Sequence, residues 1–224
     1  AMQRLDKKTK AAFIFNSDMP FDDLLLLILD ELRLLKPREV LTKLQAVKRM
    51  TNYAIQLFRR GGNLVLLIDE AQNFSRKTIE SLRMISNLET SKHKLIQIVI
   101  AGQLELDSRL EEFHLRRFVQ RINLKRYIKP LGDKDAYAYL AHRLKVAKYT
   151  GPPLFDRKAQ QMILAYSQGV PRKINIICDN ALLNGYGTGK RKITGPDIEE
   201  VVRDLGYIQS RIKPKKPRRE IHLL

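Results

Sequence analysis

Hydrophobic residues follow two kinds of pattern along this chain, and the change comes near residue 130. Before it, short apolar runs alternate with longer stretches of helical spacing. "KAAFIFNS" (10–17), "NLVLLID" (63–69) and "KLIQIVIAG" (94–102) are β-rich runs closing on polar or small residues, and each predicts a buried strand. A further strand is expected around "RINLKRYI" (121–128). Between the strands, "SDMPFDDLLLLILDELRLL" predicts a helix capped by Ser17 or Asp18, with acids in its first turn. A second helix fills about 39–59 and stops at Gly61-Gly62, a third runs from Ser75 through "RKTIESLRMISNLE", and a short helical stretch lies near 105–119. Such alternation predicts an α/β fold, with helices flanking a mostly parallel sheet.

After Pro130 the strand-like runs stop. "DKDAYAYLAHRLKVA", "FDRKAQQMILAYSQ", "PRKINIICDNALLNGY" and "TGPDIEEVVRDL" all carry helical periodicity. Pro171 opens the third, where proline suits a first turn. Tyr149-Thr150-Gly151-Pro152-Pro153 forms the loop joining two of these helices. The expected division is an α/β part over 1–130, a helical part over 131–206 and a basic tail over 207–224. Residues 211–220, "RIKPKKPRRE", hold six basic residues, two prolines and one acid, and are expected to order only against a partner. No internal repeat is present.

Composition narrows the partners. A chain of 224 residues that is 44% hydrophobic buries a substantial core, yet its net charge is +18. A surplus of that size suits nucleic acid, an anionic membrane face or an acidic partner, and equally a set of solvated lysine-rich helices. The single Cys178 excludes an internal disulfide framework and fits a reducing compartment. The longest apolar run, "LLLLIL" (24–29), is flanked by acids and falls short of the ~18 residues of a membrane span. With no secretory signal at the N-terminus, the chain is expected to be soluble and cytoplasmic.

The strongest chemistry lies in "NLVLLIDEAQN". A run of apolar residues ending in Asp69-Glu70 is the Walker B pattern, the second half of a nucleotide-hydrolase site. There the aspartate holds Mg²⁺, often through water, and the glutamate polarises the water that attacks the γ-phosphate. A strand ending in acids that cap the next helix would have the same letters. "DEAQ" is shared with nucleic-acid helicases, but the Ser-Ala-Thr element that follows in those enzymes is replaced by "IAGQLEL". Gln103 in that stretch occupies the place of a polar sensor between the carboxylates and the γ-phosphate, or is simply a turn residue after a buried strand. The other half of such a site, Gly-x4-Gly-Lys-Ser/Thr, is not in this sequence. "GYGTGKRK" (185–192) fails as a substitute: Asn184 stands where the first glycine is due, and Arg191 stands where Ser/Thr should bind Mg²⁺. His93, His114, His142 and His222 show no ligand spacing, and Cys178 lies in an apolar helix as a packing residue.

Taken in order and spacing, "LIDEAQNFSRKTIESLRMISNLET", "KLIQIVIAGQLEL", "VQRINLKRYIKPL" and "QGVPRKINIICDNALL" resemble the GspA/ExeA-like AAA+ ATPases of secretion, pilus and exopolysaccharide export systems. The resemblance covers about residues 10–205. It implies a P-loop AAA+ core of five parallel strands, here without its first strand and P-loop, followed by an all-helical lid. Asp69 and Glu70 match Walker B, with Asp69 as the metal ligand, and Gln103 matches sensor 1. Arg172 of "GVPR" matches sensor 2, the lid arginine that reaches the γ-phosphate. Arg121 of "QRI" is the candidate arginine finger, with Arg116 and Arg117 as rivals. ATP and Mg²⁺ are the implied cofactors of the complete protein. A guanidinium is always charged and can bind phosphate oxygens in a fork, which suits such reporting roles. The Walker A loop would precede "AAFIFN", and its absence should leave a gap beside the "RINLKRYI" strand and deprive these residues of catalysis on their own.

Implied partners are further copies of the chain in a homo-oligomer and proteins of an export apparatus. Family members also continue past the lid into a membrane span and a periplasmic domain. The basic tail 211–224 would then suit an anionic membrane surface on the cytoplasmic side of an inner-membrane protein. The expected function is ATP-driven assembly or remodelling of a membrane export complex. Two other classes remain open at this point: a DNA-bound AAA+ regulator resembling transposition helper ATPases, suggested by the charge, and a non-catalytic interaction module, suggested by the missing phosphate loop.

Overall fold

The computed structural model describes residues 6, 8–15, 19–89 and 93–207. They form two compact units, divided between Lys125 and Arg126, each with its own apolar core.

The first unit is built on three parallel strands in the order β1 (Thr9–Ile14), β2 (Asn63–Ile68) and β3 (Ile96–Ile100). Thr9 faces Asn63 and Ile14 faces Ile68, while Leu64 faces Ile96 and Ile68 faces Ile100. All three strands therefore end at one level. Central β2 is the apolar run NLVLLI, and its Leu64, Leu66 and Ile68 are at most 1% exposed. Each such side chain contributes roughly 1.5–3 kcal/mol of transfer free energy.

Helices α1 (Phe21–Glu31), α2 (Lys43–Arg59) and α3 (Arg76–Ser86) pack on this sheet and supply much of the core, with Phe74, Leu115 and Phe118 added from other segments. Helix α1 begins at Phe21 with Pro20 in the capping position; the expected caps, Ser17 and Asp18, lie outside the described residues. Helix α2 starts four residues later than its periodicity suggests because Thr42 and Gln45 form a capping box. The Gln45 N–H donates to Thr42 Oγ1 (3.3 Å), and the Thr42 N–H donates to Gln45 Oε1 (2.8 Å). It stops at Gly61, whose φ of 73° is left-handed, and at Gly62, where a Cβ would lie 2.5 Å from the Lys8 carbonyl oxygen. In the linker before α2, Glu39 takes a two-pronged ion pair from Arg49 (2.6 and 2.7 Å) and the N–H of Lys36 (3.0 Å). The Arg49 hydrogen bonds, then the Lys36 N–H, hold the Glu39 carboxyl down to about 2.

After β3 come short α4 (Leu104–Leu110), a 3-10 turn at Phe113–Leu115 and one-turn α5 (Arg116–Val119). The strand expected over 121–128 does not form: among the described residues the sheet has three strands, and 122–130 belongs to no regular element. Its alternation of apolar and basic residues suits a strand, but a strand also needs a neighbour for its backbone groups. Leu124 is 68% exposed and Ile128 fully so.

The second unit packs four helices, α6 (Asp133–Val146), α7 (Arg157–Ser167), α8 (Pro171–Gly187) and α9 (Gly195–Asp204). Pro171 does occupy the first turn of α8. The α7–α8 turn docks on the segment leading into α6: the Leu131 N–H donates to the Gly169 carbonyl (2.9 Å), and Gly169 has φ 73° with no room for a Cβ. Cys178 is buried in this core; burial first, then the Asp179 carboxylate, pushes its thiol up to about 12. A parallel bridge between Phe155 and Ile193 brings the starts of α7 and α9 side by side. Among the described residues no helix is long and apolar enough to cross a membrane. Residues 208–224, and with them the basic tail, lie outside the described residues.

Candidate functional site

Because β1, β2 and β3 end in register, the residues just past β2 and β3 emerge together at the carboxyl edge of the sheet, where open α/β folds hold ligands. The chain is fixed there by three backbone bonds: Asp69 N–H to Ile14 O (2.9 Å), Ala101 N–H to Ile68 O (2.8 Å) and Ala71 N–H to Ala101 O (3.0 Å). Asp69 is half-buried, and its Oδ1 accepts the Glu70 N–H at 2.9 Å. Glu70 is exposed and adopts a left-handed backbone (φ 54°, ψ 33°), uncommon for a residue with a side chain. That turn sends the chain into a 3-10 segment, Ala71–Asn73, rather than onward as a strand.

The cluster is knitted together by Gln72. Its amide nitrogen donates to Glu70 Oε2, and its amide oxygen accepts the Gln103 N–H at 3.0 Å. Gln103 Nε2 in turn lies 3.3 Å from the same Glu70 oxygen. On the far side, Arg109 of α4 donates to the Gln72 carbonyl. Gly102 makes the arrangement possible, because a Cβ there would lie 2.8 Å from Gln72 Oε1 and 2.9 Å from Leu106 Cδ2. The structure thus brings Asp69, Glu70 and Gln103 into one hydrogen-bonded group, with Glu70 held by two side-chain amides. The donor set suits a hard cation: a half-buried carboxylate with one oxygen engaged locally, beside a second carboxylate.

Gln72 and Gly102 do not stand out in the sequence. Their signal is the second letter after Glu70 and the small residue before Gln103, but the bond from Gln103 to Gln72 spans 31 positions and needs the sheet register.

The candidate arginines fall elsewhere. Arg116 and Arg117 are exposed on α5, and the Arg116 guanidinium lies 4.7 Å from the centroid of the Phe113 ring. Arg121 follows α5, half-buried, with its N–H donating to Phe118 O (2.9 Å). Arg172 is exposed on the first turn of α8, in the second unit. The "GYGTGKRK" stretch runs from the end of α8 into the α8–α9 turn, and Lys190 is ion-paired with Asp197. Among the described residues no group of three or more His, Cys, Asp or Glu could hold a metal ion.

Residues 2–110 match the family model of the AAA domain. Over 93% of its length the chain is 37% identical to general secretion pathway protein A of Aeromonas hydrophila. This chain belongs to the AAA+ ATPase family. A second, more distant relative of this AAA+ chain is an uncharacterized HTH-type transcriptional regulator of Methanocaldococcus jannaschii, 23% identical over 72% of the chain. The AAA+ chain covers 39% and 40% of these two relatives, so it spans about two fifths of their length. In fold it is similar to Cdc6p from Pyrobaculum aerophilum, with a TM-score of 0.66 and 17% identity over 87% of this chain and 53% of that one. It is also similar to the ORC2 protein of Aeropyrum pernix in its ADPNP-ADP complexes, with a TM-score of 0.62 and 13% identity over 88% and 53% of the two chains. These structures share the AAA+ architecture of a parallel sheet flanked by helices with a helical part beyond it.

Proposed function

We propose that this AAA+ chain carries the hydrolytic edge and the lid of a secretion-type ATPase, which uses ATP to assemble or remodel a membrane export complex. The observation that carries this reading is the Asp69–Glu70–Gln103 group at the ends of adjacent parallel strands. Asp69 holds Mg²⁺, directly or through water, with its free carboxylate oxygen. Bound Mg²⁺ would neutralise charge on the β- and γ-phosphates. Glu70 accepts a hydrogen bond from the attacking water and orients it. Gln103, already bonded to Glu70, moves its amide between that carboxylate and the γ-phosphate and so reports whether the phosphate is present. Arg172 reaches the nucleotide from the lid. Arg121, or one of Arg116 and Arg117, reaches it from a neighbouring copy in a homo-oligomer.

The test is calorimetric titration with Mg²⁺-ATP, using Glu70→Gln to slow turnover. Binding that weakens at least about tenfold with Asp69→Asn supports the assignment, since losing one charged ligand costs roughly 1.4 kcal/mol or more. Binding indifferent to Asp69→Asn would place the nucleotide elsewhere, and no binding would leave an interaction module as the better description.

A further inference from the structure

The second unit has a strongly basic end that the nucleotide reading does not use. The Phe155–Ile193 bridge, with the Asp156 N–H donating to the Ile193 carbonyl (2.9 Å), sets the first turns of α7 and α9 next to each other. Arg157 and Lys158 are the first two residues of α7, and Arg191 and Lys192 lie in the turn just before Thr194 caps α9. All four are exposed, and among the described residues none of the four makes an ion pair. The Lys158 stem crosses onto α9, within 2.7 Å of where a Cβ on Gly195 would be, so the two pairs share one surface.

This arrangement is electrostatically unfavourable within the fold. Helix N-termini are the positive ends of their dipoles and favour acids; α7 carries its acid at the cap, where Asp156 accepts the Ala159 N–H (2.6 Å), and has none in its first turn. The one acid in the first turn of α9, Asp197, is already committed: it completes the Thr194 capping box and is ion-paired with Lys190. Four cations thus crowd two helix ends whose two carboxylates, Asp156 and Asp197, are both engaged in capping. Sequences tend to break local rules of this kind where a ligand supplies what is missing.

We propose that the surface formed by Arg157, Lys158, Arg191 and Lys192 binds the phosphodiester backbone of double-stranded DNA. A linear polyanion matches a row of cations spread over two elements better than a single phosphate does. An anionic bilayer fits less well. The aliphatic residues beside the cations, Leu154 and Ile193, are packed against the core of the unit and offer nothing to enter the acyl region of a bilayer. Recognition is of the backbone, so it carries no sequence preference.

Fluorescence anisotropy of a labelled random-sequence duplex of about 30 base pairs, titrated with the full chain at several salt concentrations, tests this. Replacing all four residues by Gln should weaken binding at least about tenfold and lower the slope of log K against log salt by about 2–4, at roughly 0.9 for each phosphate no longer neutralised. A control variant with Lys134, Arg143, Lys145 and Lys148 changed to Gln removes the same charge from α6 and its end, and should stay within about twofold. Arg157→Lys with Arg191→Lys should retain binding, which also checks that the surface, and not folding, is being read. Equal losses in both Gln variants would reduce the effect to net charge and overturn the proposal. So would absence of DNA binding by the parent chain, or a patch variant that loses anionic vesicles but keeps DNA.

Discussion

Single residues decide how firmly the candidate site is held. Gly102 lies where a methyl group would meet the Gln72 amide oxygen, and that oxygen positions Gln103. Gly102→Ala should therefore displace Gln72 and lower stability by about 1–2 kcal/mol, through crowding and a missing hydrogen bond. Urea unfolding followed by circular dichroism would measure it, and an unchanged midpoint would mean that Gln72 is not fixed. Glu39 offers a pH test in the same unit. Its carboxyl, held by Arg49 and the Lys36 N–H, titrates near 2 when folded and near the ordinary 4.5 when unfolded. A depressed folded value stabilises above the unfolded value, and that contribution is lost as pH falls from about 4.5 toward 2. Glu39→Gln should flatten the acid limb of a melting-temperature profile in that window and leave its neutral limb parallel to the parent. An acid limb as steep as the parent's would show that the pair does not persist in solution.

At the scale of elements, caps and tight turns set the boundaries more than hydrophobic pattern does. Thr42→Ala removes half of the α2 capping box and should cost about 1 kcal/mol. Gly169→Ala meets both a left-handed backbone and the Leu131 carbonyl, and should cost more than about 2 kcal/mol. Comparing the two by thermal unfolding would rank them; a larger effect for Thr42→Ala would contradict the close α7–α8 turn. The same distinction explains what the sequence disclosed. The strands of "KAAFIF", "NLVLLI" and "IQIVI" and the four helices beyond 130 are legible because burial on one or both faces is written in periodicity. The segment 121–128 misleads because its letters specify strand-forming residues without specifying a partner. In the site, Asp69, Glu70 and Gln103 can be picked out as residues following strands. Gln72 cannot, since its function depends on register between two strands about thirty residues apart.

At the scale of the molecule, the division into two units has a direct consequence for proteolysis. Residues 122–130 are exposed and belong to no regular element, which are the features of a preferred cleavage site. Brief digestion with trypsin should cut first after Lys125 or Arg126 and yield two resistant fragments, identifiable by mass spectrometry. Early cuts inside α2 or α8 would show instead that one of the cores is loose. The two units also divide the proposed chemistry: the carboxylates belong to the first, and Arg172 and the basic end belong to the second. Charge on the second unit can thus be altered without touching Asp69 or Glu70.

The buried cysteine gives the second unit an internal clock. Cys178 is the sole thiol of the chain, and burial keeps it protonated well above neutral pH. A thiol reagent at pH 8 should therefore reach it only during openings that unpack α8 from its neighbours. The modification rate, set against that of the denatured chain, converts into the free energy of that opening alone. Adding a ligand that grips this unit should slow the clock, while one confined to the first unit should leave it running at the same pace.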